Sequence, residues 1–305
     1  MQVPELVQLA SRLPNTVLAS RACSTTKKYQ GAFDRWKRWA TERELVAFPV
    51  ETARFVLYLQ YIGDNTGSKA AVEEAVNAVS WVQRLAGQEQ VSQSPLVKSI
   101  VEGFQRLLAK PKKRKEPVTP MMLQEIVASL STTPTLAERR LAAICLLAFS
   151  AFLRFDEVEK LRGCDVKFFE DRMEITIASN KTDQYRQGST VPIARTGLPT
   201  CPVAMLEQYF SLGKISTDSE ERVFRGICST KNGDTLRPSG ALSYTRMREI
   251  VLEKIQSLGY DARCYGLHSF RAGGATAAAN ASGLSDRHFK RHGHWRSETA
   301  KDKRL

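Results

Sequence analysis

The sequence predicts a mainly α-helical protein of two domains, the second carrying one small antiparallel β-sheet. Three observations predict this. Apolar residues recur at helical spacing along most of the chain. Period-two alternation is confined to two short runs, Met173-Ile175-Ile177 and Val191-Ile193. A basic, proline-bounded run, KPKKRK at 110–115, separates two apolar-periodic regions, and 305 residues suit two domains.

The first domain, 1–109, reads as helices throughout. Thr25 or Thr26 can cap a segment whose apolar residues fall at Tyr29, Phe33, Trp36 and Trp39. Pro49 opens a second helix through Phe55, Val56, Tyr58 and Leu59, closed by a turn at Gly63-Asp64-Asn65-Thr66-Gly67. Two more follow, Ala70 to Leu85 ending at Gly87, and Pro95 to Leu108.

Residues 110–118 read as a linker. Its basic side chains Lys110, Lys112, Lys113, Arg114 and Lys115 suit a solvated spacer, a phosphate-contacting segment or a nuclear import signal, the last two being compatible.

The second domain, 119–305, opens with Thr119 as a helix cap and Pro120 at the first helical position. Thr135 and Glu138 have capping-box spacing and start a helix that runs through the apolar stretch to Leu153. The two alternating runs form strands joined by the polar loop Asn180 to Ser189. Helical periodicity returns at Pro202, again from about Ser239 to Leu258, and again after His268.

Composition bounds the function. With 42% hydrophobic and 25% charged residues, wholesale disorder is excluded. No run reaches the ~18 apolar residues of a membrane span, and the N-terminus lacks a secretory pattern, so no membrane partner is expected. A net charge of +13 favours nucleic acid or an anionic surface as partner. Six scattered cysteines without a CxxC pair suit free thiols in a reducing compartment.

Four features of the second domain could carry chemistry. Arg154 follows a strongly apolar helix in AFLRFDE, where an unpaired buried guanidinium would be costly. Glu157 could orient it toward a ligand or simply form an ion pair with it. Lys181 lies in the loop SNKTDQYRQGS. His268 and Arg271, three apart in LHSFRAGG, share a helix face and suit a phosphate: the guanidinium forks onto two oxygens while the imidazole moves a proton. Gly273 and Gly274 beside them permit close backbone approach. The fourth is RHFKRHGHWR at 287–296. Its His288 and His292 could bind zinc, but no third ligand is suitably spaced, so neither metal nor cofactor is expected.

In this order and spacing the four segments resemble the tyrosine recombinase (phage-type integrase) family, over the whole chain. AFLRFDEVEKLRGCDV looks like the segment of the first catalytic arginine, here Arg154, with Glu157 as its acidic neighbour. SNKTDQYRQGSTVPI looks like the strand-loop-strand with the catalytic lysine, here Lys181. GLHSFRAGGATAAA looks like the HxxR box, giving His268 and Arg271. RHGHWRSETAKD looks like the box supplying a late His or Trp, here His294 or Trp295. KTDQYRQG and HSFRAGGATAAA are most similar to recombinases of eukaryotic mobile elements.

The resemblance implies a helical, SAM-like core-binding domain, then the basic linker as a DNA contact, then a catalytic α+β domain. It implies DNA integration and recombination through a phosphotyrosine intermediate, on double-stranded DNA and as a homo-oligomer. A nuclear location is implied if the source is eukaryotic, otherwise a cytoplasmic one. The family's nucleophilic tyrosine is missing: Arg304 stands at its expected position, and the last tyrosine is Tyr265. The catalytic domain thus reads as truncated at or before the nucleophile, and the chain as written as inactive in cleavage. A catalytically silent DNA-binding descendant is the alternative. A type IB topoisomerase shares similar site chemistry but fits the box sequences less well.

Overall fold

A computed structural model describes residues 3–111, 114–178, 188–231, 233–281 and 286–293. The chain divides into two compact units, Met1–Lys112 and Lys113–Leu305. The boundary falls inside the basic run.

Unit 1 is helical: α1 (Pro4–Leu18), α2 (Cys23–Thr41), α3 (Thr52–Thr66), α4 (Lys69–Leu85) and α5 (Pro95–Leu107). Its core is the stripe of α2 against α3 and α4, with Trp36, Phe55, Leu59, Val72 and Val79 buried. Trp36 meets Phe55 edge-on at 5.4 Å and stacks near Trp39 at 5.7 Å. Its indole N–H donates to the Ala47 carbonyl at 2.9 Å, so the ring is buried without an orphaned donor.

The N-terminal segment is a helix, α1, although none of its residues is buried. Three details differ from the sequence expectation. Neither Thr25 nor Thr26 caps α2, which begins two residues earlier at Cys23 after Ala22. The expected turn at 63–67 is helix up to Thr66. A Cβ on Gly63 would lie 2.1 Å from the Phe104 ring, so this glycine serves the contact with α5. Only Gly67, at φ 54°, ends the helix. Likewise Pro49 lies ahead of α3, whose first residue is Thr52.

Unit 2 contains α6 (Pro120–Ala128), α7 (Leu136–Ser150), α8 (Phe155–Lys160), β1 (Val166–Phe168), β2 (Arg172–Ile177), β3 (Ser189–Ala194) and α9 (Pro202–Gly213). It continues with β4 (Arg225–Thr230), β5 (Gly233–Ala241), α10 (Tyr244–Ser257), α11 (Leu267–Asn280) and α12 (Asp286–Gly293). The Thr119 cap on Met122 and the Thr135–Glu138 capping box are both formed. The N–H groups of Thr135 and Ser131 hold the Glu138 carboxyl down at about 2.

The sheet has the order β1-β2-β3, all antiparallel, with Val166 opposite Ile175 and Ile175 opposite Val191. The alternating residues Met173, Ile175, Ile177, Val191 and Ile193 all face the core. Strand β1 is too short to alternate visibly. A second hairpin, β4–β5, occupies 225–241, where the sequence predicts the start of a helix at Ser239. That helix, α10, starts at Tyr244 behind the Ser243 cap. The hairpin's mostly exposed strands lack a buried alternating face, so no period-two signal marks them.

Helix α7 is the hub: Leu141 to Ala148 are buried without a break, packed on α9 and α11. It stops at Ser150, three residues before the expected end at Leu153. The cause is Phe152, which adopts a left-handed φ of 48° and turns the chain. The turn 151–154 therefore belongs to neither helix, and Arg154 becomes the residue that precedes α8.

Candidate active site

Arg154 is placed by the sharp α7–α8 turn and fastened by the helix it starts. Glu157, at the third position of α8, reaches back to it. Its carboxylate accepts the Arg154 backbone N–H at 2.7 Å and the Arg154 Nη1 at 2.7 Å. The Glu157 side chain is fully buried, whereas Arg154 keeps a small exposed fraction, 12%.

Arg271 arrives from α11, the helix that Gly266 precedes and Leu267 and Phe270 anchor in the core. Its guanidinium is completely buried and lies 3.7 Å from Glu157 Oε2, the oxygen that also accepts the Arg154 backbone N–H. Its Nη1 donates to the Phe152 carbonyl, and its Nη2 donates to the Gly293 carbonyl at 2.7 Å. Arg154 and Arg271 therefore converge on one carboxylate. Two guanidinium groups against one carboxylate leave net positive charge where the core opens to the surface. Such a site suits an anion with oxygens in several directions.

Close packing explains how α11 comes so near. A Cβ on Gly273 would stand 1.9 Å from the Val118 carbonyl oxygen, and one on Gly274 would stand 2.0 Å from that of Phe149. The backbone that approaches the glycine pair is the protein's own. Val118 also donates its N–H to the Ser269 carbonyl at 2.9 Å, and Glu116 donates its own to Cys264 at 2.8 Å. Residues 116–118, the end of the expected linker, are thereby stitched to the approach to α11. Lys115 donates its ammonium to the Arg263 carbonyl, while Lys110 and Arg114 are exposed. Lys112 and Lys113 lie outside the described residues.

His268 sits one turn ahead of Arg271 on α11, exposed rather than buried. Lys181, His294, Trp295 and Arg304 lie outside the described residues. Tyr265 is buried, and its hydroxyl donates to Glu116 at 3.2 Å. Burial first, then that carboxylate, raises its pKa, which suits a structural phenol better than an attacking phenolate. Among the described residues no cluster of three His, Cys, Asp or Glu side chains could hold a metal ion. No described helix is long and apolar enough to cross a membrane.

Sequence reasoning missed Phe152 and His292 as parts of this site. His292 places Nε2 2.7 Å from the Ser150 carbonyl and its ring edge-to-face with Phe152, centroids 4.7 Å apart. Its place inside the late His/Trp box is the only signal, and there it is weighed as a zinc ligand and set aside for want of a third one.

No family model matches the sequence. A curated relative, the integrase/recombinase xerD homolog of Selenomonas ruminantium, is 23% identical over 264 residues, covering 85% of this chain and 75% of its own length. Among solved structures, a lambda integrase (75–356) dimer bound to a COC′ core site matches with a TM-score of 0.58 at 15% identity, over 97% of this chain and 94% of that one. The Tn1549 transposon integrase in complex with circular intermediate DNA matches at a TM-score of 0.55 and 13% identity, over 89% and 87% of the two chains. The fold is thus that of tyrosine recombinase catalytic domains with a helical unit ahead of them. The relative and the solved structures are alike integrases and recombinases, and it is to these that the chain is similar.

Proposed function

We propose that the chain binds double-stranded DNA and clamps a backbone phosphate between Arg154 and Arg271, as a recombinase of mobile-element type. The observation that carries this is the convergence of both guanidinium groups on the single Glu157 carboxylate. Glu157 keeps the pair together despite their mutual repulsion and leaves a net positive site for the anion.

In strand exchange a tyrosine oxygen attacks the scissile phosphate and a 5′ oxygen leaves. The pentacoordinate transition state gains negative charge on its non-bridging oxygens. Two preplaced guanidinium groups stabilise that charge more than they stabilise the ground state. Lys181 is assigned to protonate the leaving oxygen, His268 to assist as acid or base, and His294 or Trp295 to pack and hydrogen-bond beside the phosphate. These roles come with the family resemblance. The tyrosine is assigned to no residue of these 305, with Arg304 at its expected position.

A silent DNA-binding role is the second reading. It is favoured by the engagement of the Tyr265 hydroxyl with Glu116. A suicide-substrate assay separates the two readings. The 305-residue chain is expected to bind duplex and form no covalent adduct. Arg304→Tyr with a helical tail of the family type is expected to form one. An adduct from the unmodified chain would mean that the nucleophile is misassigned.

Binding is expected to weaken with salt at a slope of about −0.9 per phosphate contacted. Replacing the basic residues of 110–115 by Gln should flatten that slope; an unchanged slope removes them from the interface. A nuclear location is proposed from PKKRK at 111–115. Residues 108–118 fused to a cytosolic reporter should carry it into nuclei, and a reporter that stays outside refutes the signal.

A further inference from the structure

Helix α12 ends in two consecutive residues tied to the α7–α8 turn, Gly293 through Arg271 and His292 directly. Gly293 offers its carbonyl to Arg271 Nη2 at 2.7 Å, and the same guanidinium holds the Phe152 carbonyl through Nη1. His292 places Nε2 2.7 Å from the Ser150 carbonyl. A carbonyl only accepts, so Nε2 carries the proton and the ring is fixed in that tautomer. Ser150 is the last residue of α7, so its carbonyl has no partner within that helix.

The turn closes on itself through Leu153 N–H to the Ala148 carbonyl at 3.2 Å, but at a conformational cost. Phe152 stands at φ 48°, a conformation disfavoured for a residue with a side chain, and Arg154 lies only two residues beyond it. Phe289, one turn earlier on α12, meets the Phe152 ring at 6.1 Å, and His292 meets it edge-to-face at 4.7 Å. Burial lowers the His292 pKa, so the ring is neutral near pH 7 and adds no third cation to the two arginines.

We propose that His292 is a positioning residue: its Nε2–H, donated to the Ser150 carbonyl, latches the end of α12 to the turn that carries Arg154 and so keeps Arg154 and Arg271 paired over one anion. The proposal rests on the phosphate-clamp reading. It also gives a reason for a histidine two residues ahead of His294. Leucine would fill the same volume but leave the carbonyl without its donor, whereas glutamine would restore one.

The test uses the whole 305-residue chain with inorganic phosphate as probe, against chloride at equal ionic strength. Phosphate should raise the Tm of the wild type and of His292→Gln. His292→Leu should lose more than roughly half of that rise, whatever its own Tm in chloride. A purely structural role would lower the baseline Tm and leave the phosphate increment intact, which would overturn the latch. Equal loss in the glutamine and leucine variants would also overturn it, because the donor would then be irrelevant. Nitrogen-15 NMR of the wild type decides independently of any variant's folding: an Nε2–H tautomer with a slowly exchanging proton is expected, and an Nδ1–H tautomer refutes the latch. Arg154→Ala is the control for the underlying reading. If that variant keeps the full phosphate increment, the clamp reading fails, while the tautomer still reports on the latch.

Discussion

The two units bury different chemistry. Unit 1 fills its core with aromatic and aliphatic side chains, and its buried polar residues, Ser80 and Gln83, are neutral. Unit 2 buries Arg140, Glu157, Arg225 and Arg271 as well. Arg140 donates to the Arg225 carbonyl at 2.7 Å, and burial lowers its pKa; Arg225 in turn pairs with Glu221 at the root of β4. Removing ions from water is costly, and a buried pair rarely gives a net gain over well-packed apolar groups. Unit 1 shows that this chain can build a core without buried ions. In unit 2 they fall into two groups, Arg140 with Arg225 and Glu221, and Glu157 with Arg271 and Arg154.

The contrast can be broken most sharply at Glu157. Glu157→Gln keeps the shape and removes the charge between two guanidinium groups, and should cost about 3–5 kcal/mol. Amide exchange should show the loss in α7, α8 and α11. A cost below about 1 kcal/mol would mean that the arginines do not depend on that carboxylate. A shape-preserving change in the apolar unit, Leu59→Met, should cost less than about 1.5 kcal/mol by chemical denaturation, although Leu59 is fully buried.

Smaller again is the capping box of α7. Thr135→Ala should cost about 1 kcal/mol. Its partner Glu138 has a folded pKa near 2, below the unfolded value of 4.5. Its contribution is therefore present above pH 4.5 and is lost as pH falls toward 2. Glu138→Gln should remove that acid limb, and an unchanged pH profile would contradict the cap. The smallest effect is expected at the exposed pair Lys160–Asp156, 3.7 Å apart, where Asp156→Asn should change stability by no more than about 0.5 kcal/mol. A large loss there would erase the distinction between buried and solvated charge.

Much of the fold was legible because its signals are local. Trp36 and Trp39 lie on the stripe read for α2, Thr135 and Glu138 make their box, and Met173 to Ile177 alternate as strand β2. The errors sit where tertiary contacts override local cues. Gly63 resembles a turn residue but admits the Phe104 ring, and Phe152 looks helical yet reverses the chain. At the site, motif spacing singled out Arg154, Glu157 and Arg271. Spacing could not tell whether Glu157 merely pairs with Arg154 or joins both arginines, because that depends on how α11 packs. The role of His292 depends on a backbone carbonyl far away in sequence, which no side-chain motif records.

Among the described residues Arg271 is held by the α7–α8 turn, by α8 and by the end of α12, three stretches outside its own helix. Such a residue gains nothing from early, local folding. Its guanidinium stays hydrated until three separated stretches of chain have met, and contacts of that kind are closed late. Arg271→Met should therefore speed unfolding while leaving the folding rate nearly unchanged, with a φ-value close to zero. In stopped-flow chevrons the unfolding arm should rise and the folding arm should superimpose on that of the wild type. Unit 2 would bring Arg154 and Arg271 together as the last act of folding, so a chain that has the pair has already passed every earlier checkpoint.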